Sequence, residues 1–246
     1  CHELDYDTEV AHYRHVLDQL SRHPWVDAGR LVLWGSSLGG TVAPLLAQGR
    51  PVAGVIVAGG GALTYFERML LFDRIGFERG DLDPREIDGR MRRHAEFHVE
   101  YLLRGKTPEA IAAERPELAD VWERIRGTGD RVHYGRPYSW HQQAAQKDFL
   151  AAWAAIAAPV LVLYAEYDQF ELAHGHRTIA ATRERLRPGS ATYVELPQMA
   201  HGYTVHATPE DAAAWRRGTP APELALGPML RWLRILGLAG APAEGS

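Results

Sequence analysis

The residues best suited to chemistry begin with Ser37. It stands in Gly35-Ser36-Ser37-Leu38-Gly39, which fits G-x-S-x-G, where a serine sits on a tight strand-to-helix turn and the glycines let backbone segments approach closely. A serine hydroxyl attacks a carbonyl only when a base takes its proton, and that base needs a carboxylate to fix its tautomer. An acid and a histidine should therefore follow. Asp168, in Ala165-Glu166-Tyr167-Asp168, is the candidate acid, with Glu166 and Glu171 as substitutes. Its plainer reading is an ordinary helix cap. His201, in Gln198-Met199-Ala200-His201-Gly202, is the candidate base. It too has a plainer reading, as a solvated loop histidine, and His206 is near enough to compete. Together the three would transfer an acyl group to water. A dinucleotide-binding fingerprint fits less well, because Ser37 stands where G-x-G-x-x-G needs its middle glycine.

These side chains need rigid elements behind them. Leu31-Val32-Leu33-Trp34 is a continuous apolar run, as a strand buried on both faces would show, and a helix resumes over Thr41 to Gln48. An amphipathic helix precedes this strand, with Val10, Tyr13, Val16, Leu17 and Leu20 on one face and Asp7 or Thr8 as its cap. Val52 to Ala58 reads as a second buried strand, closed by Gly59-Gly60-Gly61. Strand and helix alternate again from Pro159 to Tyr164, His174 to Leu186 and Ala191 to Leu196, ending in a helix over Met229 to Leu238. Asp168 and His201 both fall just past a strand, at the sheet edge where ligands bind in α/β folds. Residues 62–150 lose the alternation and read as helices, including a start at Thr107-Pro108-Glu109. The expected organisation is a mostly parallel α/β core of residues 1–61 and 151–246 with a helical cap inserted at 62–150.

With these pieces in place the chain resembles the α/β-hydrolase superfamily, in particular bacterial serine hydrolases related to the S9/S33 peptidases and esterases. The resemblance rests on Leu33-Trp34-Gly35-Ser36-Ser37-Leu38-Gly39-Gly40, on Val162-Leu163-Tyr164-Ala165-Glu166-Tyr167-Asp168 and on Pro197-Gln198-Met199-Ala200-His201. The chain order serine, aspartate, histidine is the one this superfamily uses. The resemblance implies a catalytic triad of Ser37, Asp168 and His201, with the Leu38 backbone N–H as one oxyanion donor. It departs at the front. Such domains place about four strands before the nucleophile strand, and here one helix precedes it. The early strands and the loop bearing the second oxyanion donor are therefore expected to be missing, leaving about four parallel strands with Leu31 to Trp34 at an unpaired edge. Ester hydrolysis is the first expectation, peptide or amide hydrolysis the second, and an inactive binding fragment the third.

The composition agrees with a globular enzyme. Apolar residues make up 46% of the 246 and charged residues 24%. A net charge of -4, from 27 basic and 31 acidic residues, argues against a nucleic-acid or anionic-membrane surface. The expected partner is a small-molecule ester or peptide, with no metal and no organic cofactor. The single cysteine, Cys1, excludes an intrachain disulfide and any CxxC metal site. His94 and His98 have the i, i+4 spacing of a zinc helix, but Glu96 falls one place later than the base of H-E-x-x-H, so no zinc protease is expected. His174 and His176 read as a solvated rim. Tyr138, Trp140 and His141 could line a substrate pocket, or equally pack the cap.

Overall fold

The computed structural model describes residues 4–80, 82–126 and 132–240. They divide into two compact units, one made of residues up to Val16 with Leu63–Asp148, the other of Leu17–Ala62 with the chain from Phe149 onward.

The second unit is built on a parallel sheet of four strands, β1 (Val32–Ser36), β2 (Gly54–Ala58), β3 (Val160–Ala165) and β4 (Ala191–Leu196), in that spatial order. The register runs Val32 to Gly54 and Ser36 to Ala58 between β1 and β2, then Val55 to Val160, then Val160 to Ala191. β2 and β3 are buried at every position, as their unbroken valine, isoleucine and leucine content requires of central parallel strands. The expectation of the same for β1 is corrected. Its burial alternates, Leu33 at 9% exposure and Trp34 at 55%, because among the described residues β1 pairs with β2 alone and forms the sheet edge. Beneath the sheet, Ile56, Leu161, Leu163, Leu196, Met229 and Trp232 form one core cluster with the helix Glu223–Ile235. Burying each such side chain contributes about 1.5–3 kcal/mol. That helix opens six residues earlier than Met229, its pattern starting behind the internal Pro228.

The first unit is helical. Tyr65–Glu78 begins with a capping box of Thr64 and Glu67, Pro84–His98 with Asp83 and an N1 proline, and Pro108–Glu114 with Thr107 accepting from Ala110 N. The opening residues of the helix Tyr6–Leu20 group here too. Tyr6 meets Trp140 edge-on at 4.9 Å, and Glu9 accepts from Trp140 Nε1 at 2.7 Å. The helix starts earlier than Asp7 or Thr8 would cap it, since Asp5 Oδ1 accepts from Thr8 N at 2.8 Å. Among the described residues no helix is long and apolar enough to cross a membrane.

Candidate active site

Ser37 closes β1 with φ +52°, a left-handed conformation that costs a β-carbon residue about 1–2 kcal/mol. It persists because the surroundings hold it. Ser37 N donates to Ala58 O at 2.9 Å and Gly40 N to Ser37 O at 2.9 Å, and the helix Gly39–Ala47 starts at once. Gly35 makes the tight turn passable, since a β-carbon there would stand 2.3 Å from Gly39 O. Strain of this kind concentrates at functional sites. The Leu38 N–H, at the cap position of the helix, makes no hydrogen bond within the described chain.

Asp168 lies beyond β3, with its side chain 0% exposed. Its Oδ1 accepts from Phe170 N at 2.8 Å and Glu171 N at 3.0 Å in a turn rather than at a helix cap, since the next helix starts at Ala173 with Leu172 at its cap, and the same carboxylate also faces His201. His201 Nδ1 is 2.9 Å from Oδ2 and 3.1 Å from Oδ1. The His201 loop is pinned at both ends. Gln198 and Tyr203 each adopt φ +57°, Gln198 N donates to Glu166 Oε2 at 2.7 Å, and His201 N donates to Gln169 Oε1 at 3.1 Å. Phe170 covers one side of the imidazole, ring to ring at 5.0 Å. Glu166 is thus used as a loop anchor rather than as the acid. His206 is buried, with Nε2 3.0 Å from Thr204 Oγ1.

No hydrogen bond links Ser37 Oγ to the His201 ring, whose hydrogen bonds among the described residues run from Nδ1 to Asp168. Both residues nevertheless abut one short segment. A β-carbon on Gly59 (φ +61°) would stand 3.1 Å from His201 Nδ1 and Cε1 and 3.4 Å from Asp168 Oδ2, and one on Gly60 would stand 2.7 Å from Ser37 O. The strand end after β2 therefore borders both the His201 ring and the turn that carries Ser37. An unprotonated Nε2 can take a proton from a serine hydroxyl that comes within hydrogen-bond reach, while Nδ1–H is held by the carboxylate.

A sequence profile of the alpha/beta hydrolase family matches residues 2–215. The chain belongs to the alpha/beta hydrolase family. Solved structures are similar in fold. BpoC of Mycobacterium tuberculosis H37Rv, provisionally described as a non-heme bromoperoxidase, is 17% identical at a TM-score of 0.50, over 96% of this chain and 76% of that one. DcsB, solved in complex with its substrate analogue, is 18% identical at a TM-score of 0.52, over 96% and 74%. A thermophilic esterase of Thermogutta terrifontis is 18% identical at 0.49, over 95% and 73%. No curated protein matches the chain in sequence.

For this alpha/beta hydrolase, the place of Gly59 and Gly60 beside His201 and Ser37 escaped sequence reasoning, which read the triple glycine as the close of the second strand. The available signal was position: the end of β2 must lie beside the end of β1 in a parallel sheet. Phe170, Gln169 and Tyr203 escaped too, since nothing local marks them. Tyr203 places its hydroxyl 3.1 Å from Ser36 Oγ, and burial raises its pKa, keeping the phenol neutral. Of the suggested pocket residues, Trp140 and His141 are each 1% exposed. Trp140 is tied to Glu9, and His141 lies 2.7 Å from both the Tyr65 hydroxyl and His133 O. Tyr138 is half-buried, its carbonyl accepting from the Tyr101 hydroxyl. These three pack the helical unit. His176 is likewise buried rather than on a solvated rim, while His174 is exposed.

Proposed function

We propose that this hydrolase cleaves a carboxylic ester through an acyl-enzyme, with Ser37 as nucleophile, His201 as base and Asp168 as the group that orients His201. The observation that carries the reading is the backbone of Ser37 at φ +52° between β1 and its helix, with the His201–Asp168 pair at 2.9 Å held on the neighbouring strand ends. His201 Nε2 takes the Ser37 proton as Oγ bonds to the carbonyl carbon. The oxyanion is stabilised by the Leu38 N–H. His201 then returns the proton to the departing alkoxide, the C–O bond breaks, and water repeats the sequence on the acyl-enzyme. Asp168 stays ionised throughout and stabilises the imidazolium.

A fluorophosphonate probe tests the nucleophile. The wild-type protein should be labelled and Ser37→Ala should not; an unlabelled wild type would favour the reading of a binding fragment. A panel of p-nitrophenyl esters against aminoacyl anilides then separates ester from amide hydrolysis. Higher kcat/KM on the anilides would replace the ester assignment with a peptidase or amidase.

A further inference from the structure

Four buried histidines of the helical unit play no part in this mechanism. His94 and His98 sit one turn apart on the helix Pro84–His98 and are 4% and 0% exposed. The third member comes from the helix Tyr65–Glu78. Asp73 Oδ2 lies 2.7 Å from His94 Nδ1 and 2.7 Å from His98 Nε2, and all three atoms lie within 4.8 Å of one another. His133 continues the row, its ring 6.4 Å from that of His98 and 4.4 Å from that of His141. Among the described residues, both His133 nitrogens and His98 Nδ1 lack hydrogen-bond partners. A hydrophobic core gains nothing from such a row, because each buried unpaired polar group costs about 1–3 kcal/mol.

We infer that Asp73, His94 and His98 form a binding site for one divalent first-row transition-metal ion, zinc foremost, outside the serine chemistry. Two imidazoles and one carboxylate are the donor set of such ions, and with two nitrogens among three ligands the site disfavours calcium and magnesium. The geometry is near what an ion needs. Metal–ligand bonds of about 2.0–2.2 Å place tetrahedral ligand atoms roughly 3.4 Å apart, so each N···O separation opens by less than about 1 Å. The protons that now join the imidazoles to Asp73 move to the far ring nitrogens as the ion takes their place.

His94 lies in the wall of a cavity of about 640 Å³ that Glu86, Asp120 and Glu123 line together with Arg90, Arg93 and Arg124, so the cluster stands beside an open space whose acidic and basic groups balance. Directly after His98 the chain makes a π-helical turn, Val99–Leu103, a distortion found frequently at functional sites. The ion would tie the two longest helices of this unit together. The H-E-x-x-H template fails here because it seeks the third group on the same helix, and the third group lies 21 residues upstream of His94 on another.

The test uses the full chain, stripped with a chelator and titrated with zinc against a chromophoric competitor. One equivalent should bind, and Asp73→Asn and His94→Gln should each weaken binding about 100-fold or more. His201→Ala, which removes the histidine of the Asp168 pair, should bind as wild type. X-ray absorption on the zinc-loaded wild type, which needs no variant to fold, should show two imidazoles and a light-atom ligand. Failure of the wild type to take up a stoichiometric ion overturns the proposal. So does a one-imidazole spectrum, undiminished binding by both site variants, or loss of binding in His201→Ala.

Discussion

The Asp168 carboxylate holds the His201 ring by Nδ1, at 2.9 Å from Oδ2, from a fully buried position. Asp168→Asn should preserve the acceptor for the Phe170 and Glu171 amides while favouring the wrong imidazole tautomer. Ester kcat should fall about 10⁴-fold with an unchanged thermal melt. Activity within tenfold of wild type would remove Asp168 from the mechanism.

Ser37→Ala and His201→Ala should each lower kcat by several orders of magnitude, and the double variant should be barely worse, because the groups act as one unit. Steady-state rates on the best ester of the panel decide this. Losses that multiply in the double variant would mean the two residues work independently.

Gly59→Ala separates backbone strain from crowding of the base. Its β-carbon would press on His201 at 3.1 Å at a φ of +61°, whereas Gly49→Ala meets a φ of +70° with nothing within 4 Å. Both should lose about 1–2 kcal/mol of stability. Only Gly59→Ala should also lower kcat, by roughly 10²-fold for a base displaced by about 1 Å. Equal activity in the two variants would sink the role assigned to Gly59.

The edge position of β1 should make the chain self-associate, since an apolar strand edge templates pairing. Trp34 is 55% exposed there. Static light scattering across a concentration series should show association, reduced in Trp34→Lys. A monodisperse wild type at every concentration would contradict the expectation.

Acid should weaken the helical unit through His141. Burial pushes its pKa from the ordinary 6.5 down to about 4. Between those values the unfolded chain binds a proton that the folded chain does not, so stability is full above pH 6.5 and declines as pH falls towards 4. The slope for one proton is at most about 1.4 kcal/mol per pH unit. Urea midpoints should show this decline, and His141→Gln, though less stable at pH 7, should show a shallower one.

Much of the sheet was legible because parallel strands carry unbroken apolar runs. β4 falls where the sequence put it, at Ala191–Leu196, and β3, at Val160–Ala165, lies one residue later than the expected Pro159 to Tyr164. The strand-to-helix turn at Ser37 was equally legible, since glycines at fixed offsets report a local steric need. Burial of β1 on both faces was not, because an apolar run does not say how many neighbours a strand finds.

The sequence by itself determined the α/β alternation, the order of Ser37, Asp168 and His201, and the strand ends that carry them, since each depends on contacts a few residues long. Tertiary structure alone decided that Asp168 faces His201, that Gly59 abuts the His201 ring, that Trp140 and His141 are core, and that Asp73 closes on His94 and His98. Those relationships join residues up to 142 positions apart in space set by packing, and no local spacing encodes which buried side chains will meet.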